Sequence, residues 1–160
     1  MSDKENQIPQ IYLITPRAFE LTAFADQLAG VLDNTDIACV RMALASTDER
    51  EISRAADQLR EVCHAREVAI VIDSHFRLVE THGLDGVHLP DSSRQVRDVR
   101  KTLGPGAVVG TYCGASRHAG MTAGEIGADY ISFGPVSQTA LGSGTLAEYD
   151  LLEWRSETVE

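Results

Sequence analysis

The sequence predicts an α/β fold, a parallel sheet covered by helices. Short β-branched runs bounded by Pro, Gly or Asp alternate with stretches whose apolar residues recur at three- and four-residue spacing; these are the patterns of buried strands and of helices. The runs begin at positions 11, 37, 68, 86, 108 and 130, at intervals of 18 to 31 residues, which leaves room for one helix between parallel neighbours. A third sign is a phrase written twice, GLDGVHLP at Gly83–Pro90 and GADYISFGP at Gly127–Pro135.

The first ten residues are polar and form an N-terminal tail; residues 11–160 make the domain. Strands are expected at Ile11–Thr15, Ile37–Leu44, Val68–Asp73, Gly86–Leu89, Val108–Tyr112 and Tyr130–Phe133. Between and after them, helices are expected at Ala18–Leu32, Asp48–Ala65, His75–His82, Ser93–Leu103, Met121–Ile126 and Ala147–Ser156. The second helix displays its face plainly, because Ile52, Ala55, Ala56, Leu59, Val62 and Cys63 fall on one side. Thr47 or Asp48 supplies its N-cap, with acidic residues in the first turn. Gly83, Gly104 and Gly127 stand where helices end. The doubled phrase is therefore helix-ending glycine, turn aspartate, buried strand and strand-end breaker.

Apolar content of 43% and charged content of 24% belong to a globular domain. No stretch approaches the roughly 20 apolar residues that span a bilayer, and a cytoplasmic protein is expected. Net charge of −10 argues against a nucleic-acid or anionic-membrane surface. Cys39, Cys63 and Cys113 are odd in number and scattered, so they read as buried small hydrophobes. Of 14 basic residues only Lys4 and Lys101 are lysines, which nearly excludes chemistry that needs a lysine in the site.

Strands apolar throughout must be covered on both faces. No GxGxxG or P-loop follows the first strand, where YLITPRAF stands, so a nucleotide-binding open sheet loses ground to a TIM-type (β/α)8 barrel. Eight βα units need roughly 200 residues or more; about six are written here, so the barrel is expected to be incomplete, lacking its last two units.

IYLITPRAF, GLDGVHLP, VVGTYC and GADYISFGPV followed by SQT resemble, in order and spacing, the thiamine-phosphate synthase/TenI family over most of residues 11–139. The resemblance implies a (β/α)8 barrel with its site at the carboxyl ends of the strands. It also implies one of two activities. Synthases join hydroxymethylpyrimidine diphosphate to a thiazole phosphate and release pyrophosphate with help from Mg²⁺, whereas TenI-type members aromatise the thiazole.

Departing pyrophosphate leaves a pyrimidine cation, so cations and a metal must take up its charge. The family's Q-x-R-x-K pattern falls on CVRMAL, Cys39–Leu44. One register puts Val40, Met42 and Leu44 at the functional positions; the other matches Arg41 to the arginine, with Cys39 and Ala43 beside it. Where the family has Asn-Asp after the third strand, this chain has Asp73 and Ser74, and after the fourth it has Asp91 and Ser93 around the second metal aspartate. Asp73 and Asp91 are either a displaced carboxylate pair or turn and helix-start residues. Thr139 matches the family's first loop threonine, with Leu141 and Gly142 where a threonine and lysine would follow.

The resemblance thus points to Arg41, Asp73, Ser74, Asp91, Ser93, Tyr112 and Thr139 for substrate binding. His88 is the acid/base candidate, its plain reading being a strand-end histidine held by a backbone carbonyl. Cys113 with His118 or His88 is the one conceivable nucleophile pairing; Ser116 reads as a turn or capping residue.

Three functional readings stand. In the first, a divergent family member has lost the synthase reaction and binds a small phosphorylated thiazole or pyrimidine, or a partner. No cofactor is then expected, and Mg²⁺ only if synthase activity is retained. In the second, the chain is an active synthase, with arginines such as Arg41 and Arg17 replacing lysines, or a TenI-type isomerase. In the third, a barrel fragment covers its open edges with another copy, as a homo-oligomer.

Overall fold

The computed structural model describes residues 8–138 and 145–158. Strands β1 (Ile11–Ile14), β2 (Ile37–Met42), β3 (Ala69–Asp73), β4 (Gly86–Leu89), β5 (Val108–Tyr112) and β6 (Tyr130–Ser132) alternate with helices α1 (Leu21–Asn34), α2 (Glu49–His64), α3 (Arg77–Thr81), α4 (Val96–Leu103), α5 (Arg117–Glu125) and α6 (Tyr149–Thr158). All strand pairs are parallel, in the order β1-β2-β3-β4-β5-β6.

A flat six-stranded sheet would hold its outer strands roughly 24 Å apart, at about 4.8 Å per step. Here the Tyr12 hydroxyl of β1 meets that of Tyr130 of β6 at 2.5 Å. The sheet is therefore curled into most of a (β/α)8 barrel, six of its eight strands. Among the described residues, no helix is long and apolar enough to cross a membrane.

The alternation of strand residues sorts the interior from the core. Val40, Met42, Ile70, Ile72, Val87, Leu89 and Val109 turn outward and pack with Leu28 of α1, Ile52 and Leu59 of α2, and Val96 and Val99 of α4. The positions between them, Tyr12, Cys39, Arg41, His88 and Tyr130, line the concave side.

The doubled phrase has a structural meaning. Asp85 donates its N–H to the Ile70 carbonyl at 2.9 Å and accepts the Ile70 N–H on Oδ2 at 2.7 Å. Asp129 does the same to Val109, at 2.7 and 2.8 Å. Each aspartate thus clamps the first turn of its own strand to the preceding one, satisfying backbone groups at the barrel floor. A basic side chain steadies each carboxylate, His64 on Asp85 and Arg100 on Asp129.

Helix starts move where capping differs from expectation. Helix α1 begins at Leu21, because the Glu20 carboxylate accepts from the N–H groups of Thr22 and Ala23. Helix α5 begins at Arg117, four residues before the expected Met121, because the Ser116 hydroxyl accepts from the Ala119 N–H. Ser93 does not start a helix: α4 opens at Val96, after Ser92 takes a positive φ of 58° and breaks the run.

Candidate functional site

The concave side holds a cavity of about 560 Å³, lined by Tyr12 and Ile14 from β1, Cys39 and Arg41 from β2, His88 from β4, and Tyr130 and Ser132 from β6, among others. Its walls are mainly apolar, and Arg41 is its one cation among the described lining residues.

Arg41 decides between the two registers of the second strand. It faces inward with Cys39, while Val40 and Met42 are 0% and 1% exposed in the outer core. The register that puts Val40, Met42 and Leu44 at the functional positions is excluded. Arg41 Nε lies 3.0 Å from Oδ1 of Asp73, the last residue of β3. That contact is an ion pair by distance, but neither atom is aligned for a hydrogen bond, so both retain donor and acceptor capacity. Burial pushes the Asp73 carboxyl above its ordinary range, with Arg41, Arg17 and His75 pulling the other way.

His88 is 5% exposed, and its partner is a phenol rather than the expected backbone carbonyl: Nδ1 lies 3.0 Å from the Tyr130 hydroxyl. Burial, with the Arg41 charge adding to it, lowers the imidazole to about 4, so it is neutral at pH 7. The Tyr130 ring fits only because residue 110 is glycine; a Cβ there would sit 1.9 Å from Tyr130 Cζ.

The other predicted residues lie away from this cavity. Ser74 has a φ of 62° and borders an outer groove with Thr47, Glu49 and Phe76. The Asp91 carboxylate accepts from Gln95 Nε2 at 2.8 Å, and its Oδ1 is buried without a partner. Tyr112 donates to the Gly134 carbonyl instead of lining the cavity. Cys113 is 3% exposed, enclosed rather than presented at the rim. Thr139 lies outside the described residues.

Sequence reasoning missed Tyr12 and Tyr130. The available signal was parity: both stand at inward positions of their strands, as Arg41 and His88 do.

The model of the family described as thiamine monophosphate synthase matches residues 11–160. The thiamine-phosphate synthase of Rhodospirillum centenum is 40% identical over 152 residues, covering 94% of this chain and 73% of that protein. The chain belongs to the thiamine monophosphate synthase family. A second thiamine-phosphate synthase, from Erythrobacter litoralis, is 34% identical over 98% of this chain and 76% of that protein. Among solved structures, the thiamine phosphate pyrophosphorylase of Pyrococcus furiosus superposes with a TM-score of 0.79 at 20% identity, covering 94% of this chain and 71% of that one, a likeness of fold. A type I 3-dehydroquinate dehydratase from Clostridium difficile reaches 0.61 at 9% identity over 90% of this chain and 66% of that one, and shares the barrel alone.

The thiamine monophosphate synthase family resemblance carries Mg²⁺ with it, which needs hard oxygen ligands, usually one or two carboxylates with substrate phosphates. Among the described residues no three His, Cys, Asp or Glu side chains gather in one place. Asp73 and Asp91 each keep one buried oxygen without a hydrogen-bond partner, but Asp73 lies against the Arg41 guanidinium and serine stands at position 74. The described residues therefore hold no all-protein cage for Mg²⁺.

Proposed function

We propose that this chain is a thiamine-phosphate synthase, joining hydroxymethylpyrimidine diphosphate to a thiazole phosphate with release of pyrophosphate. What carries this reading is the 40% identity to the Rhodospirillum centenum synthase across nearly the whole chain. Arg41 supports it chemically, as a guanidinium turned into the barrel interior with donors unspent on Asp73. Arginine binds phosphate through a planar fork of N–H groups and stays charged, so Arg41 is the group assigned to the leaving diphosphate. The mostly apolar cavity with Tyr12 and Tyr130 in its wall suits an aromatic heterocycle. Incubating the protein with both phosphorylated substrates and measuring thiamine phosphate tests the proposal; equimolar thiamine phosphate and pyrophosphate over many turnovers are expected.

A second reading keeps the ligand and drops the turnover. It is favoured by Ser74 at the family's metal-aspartate position and by Lys101 lying on helix α4, outside the cavity. Saturable binding of either substrate with no product after prolonged incubation would establish it. Self-association accompanies both readings as a proposal: among the described residues β1 and β6 each pair on one side only, and Ile11 and Ile14 are 48% and 49% exposed. Light scattering showing a monomer across micromolar concentrations would remove it.

A further inference from the structure

Arg41 and Asp73 stand diagonally across two strands. The register pairs Arg41 of β2 with Val71 of β3, so Asp73 lies one strand over and two residues nearer the carboxyl end. Ile70 and Ile72 belong to the outer core, and the alternation of a strand therefore turns Asp73 toward the concave side. The Arg41 side chain reaches along the barrel wall to this rim position, where Nε lies 3.0 Å from Asp73 Oδ1. The pair is mostly withdrawn from water.

The contact is one of charge: both facing atoms are buried, and neither has a hydrogen-bond partner. The backbone holds the carboxylate in place. The Asp73 carbonyl accepts from the His75 N–H at 2.7 Å, and the Ser74 N–H donates to the His88 carbonyl at 2.9 Å. Burial opposes the charge on Asp73, whereas Arg41 of β2, Arg17 from the loop after β1 and His75 from the loop after β3 favour it. The one cation among the described lining residues thus carries its own counter-ion.

This arrangement sets how tightly an anion is held. A guanidinium alone in a mostly apolar cavity would bind a polyanion strongly, because a low dielectric leaves its field unscreened. Tight binding of this kind is slow dissociation. A carboxylate in contact with Nε offsets that field and repels an arriving anion, while the rest of the planar fork still presents N–H groups to phosphate oxygens.

We infer that Asp73 is a charge-tempering residue: its carboxylate shares the Arg41 guanidinium with the diphosphate and weakens the barrel's hold on pyrophosphate, so that this product is released. The role rests on the diphosphate reading of Arg41 proposed above. It places Asp73 beside a cation rather than on a metal.

Calorimetric titration of inorganic pyrophosphate into the full chain, at neutral pH and fixed ionic strength, tests it, first without divalent metal and then with Mg²⁺. Asp73→Asn keeps the shape without the charge and should bind at least about tenfold more tightly than the wild type in both buffers. Asp73→Glu keeps the charge and should stay within about threefold of the wild type. A merely structural role would not tighten binding when the carboxylate is removed. Equal or weaker binding by Asp73→Asn overturns the role, and weaker binding confined to the Mg²⁺ buffer would make Asp73 a metal ligand instead. No binding by either protein overturns it as well. Asp73→Ser supplies a second neutral variant should asparagine leave the buried guanidinium unable to pack, and circular dichroism shows which variants fold. Arg41→Gln separates the two failures. If it loses binding while Asp73→Asn gains none, only the tempering role fails; if it binds as the wild type does, the diphosphate reading of Arg41 fails and takes the role of Asp73 with it.

Discussion

Replacing Gly110 by alanine tests whether the inward tyrosine is held where the barrel requires it. A Cβ at 110 would lie 1.9, 2.2 and 2.4 Å from Cζ, Cε1 and Cε2 of Tyr130. Ordinary contact begins at 3.4 Å, so the ring must retreat by at least 1.5 Å. Such a shift breaks the hydroxyl's bonds to Tyr12 and His88, at 2.5 and 3.0 Å. Gly110 is not among the positive-φ glycines, so the alanine meets a steric cost and no backbone strain. Overpacking costs about 1–3 kcal/mol, and each buried hydrogen bond lost costs about 1 kcal/mol. Alanine's better strand entropy returns about 0.5–1 kcal/mol, leaving a net loss of about 3 kcal/mol. For a chain of this size that lowers Tm by roughly 6–12 °C. Urea unfolding of the wild type, Gly110→Ala, Tyr130→Ala and the double variant measures it, because without the ring the alanine has nothing to strike. The prediction is a coupling of about 3–4 kcal/mol, with Gly110→Ala neutral or mildly stabilising beside Tyr130→Ala. The same cost in both backgrounds would refute the packing argument.

Three further outcomes are expected. Asp85→Ala and Asp129→Ala each leave a strand-start N–H, that of Ile70 or Val109, without its acceptor; each should cost about 1–3 kcal/mol in urea unfolding, and asparagine at either site less than about 1, whereas tolerance of both alanines would contradict the clamp. His88 titrates near 4 in the folded chain against 6.5 unfolded, so the unfolded state binds the extra proton and stability falls as pH drops from 6.5 to 4, by about 3 kcal/mol in all. Asp73, raised by burial, works in the opposite sense, so the difference between wild type and His88→Gln isolates the histidine, and parallel pH profiles would contradict it. Burial holds the Cys39 and Cys63 thiols up to about 11 and about 12; peptide mapping after brief maleimide treatment at pH 7 should find both unmodified, and rapid labelling of either would show an open or electropositive setting that this fold does not have.

The strand pattern was legible because β-branched runs between turn residues carry their own boundaries, and every strand formed where that pattern stood. Helix ends were less so. Gly120 interrupts the helical signal of α5, yet it is there because a Cβ would lie 2.7 Å from the Phe133 ring, a tertiary reason invisible in a local window. In the site, Arg41 and His88 stood out as polar residues on otherwise apolar strands. Tyr12 and Tyr130 did not, since an aromatic on a strand reads as core, and their contact joins positions 118 apart. Asp73 was assigned to a turn or a metal pair because no local pattern shows that β2 places a guanidinium beside it.

The synthase assignment and the role of Arg41 meet in one measurement, the rate of pyrophosphate release from hydroxymethylpyrimidine diphosphate in the presence of thiazole phosphate, for wild type, Arg41→Lys and Arg41→Gln. Catalytic release by the wild type is expected, with a loss of about 10²–10³ in Arg41→Gln, the scale for removing one preorganised donor from developing negative charge, and partial retention in Arg41→Lys. No product from the wild type, or an Arg41→Gln variant as fast as the wild type, would contradict the account.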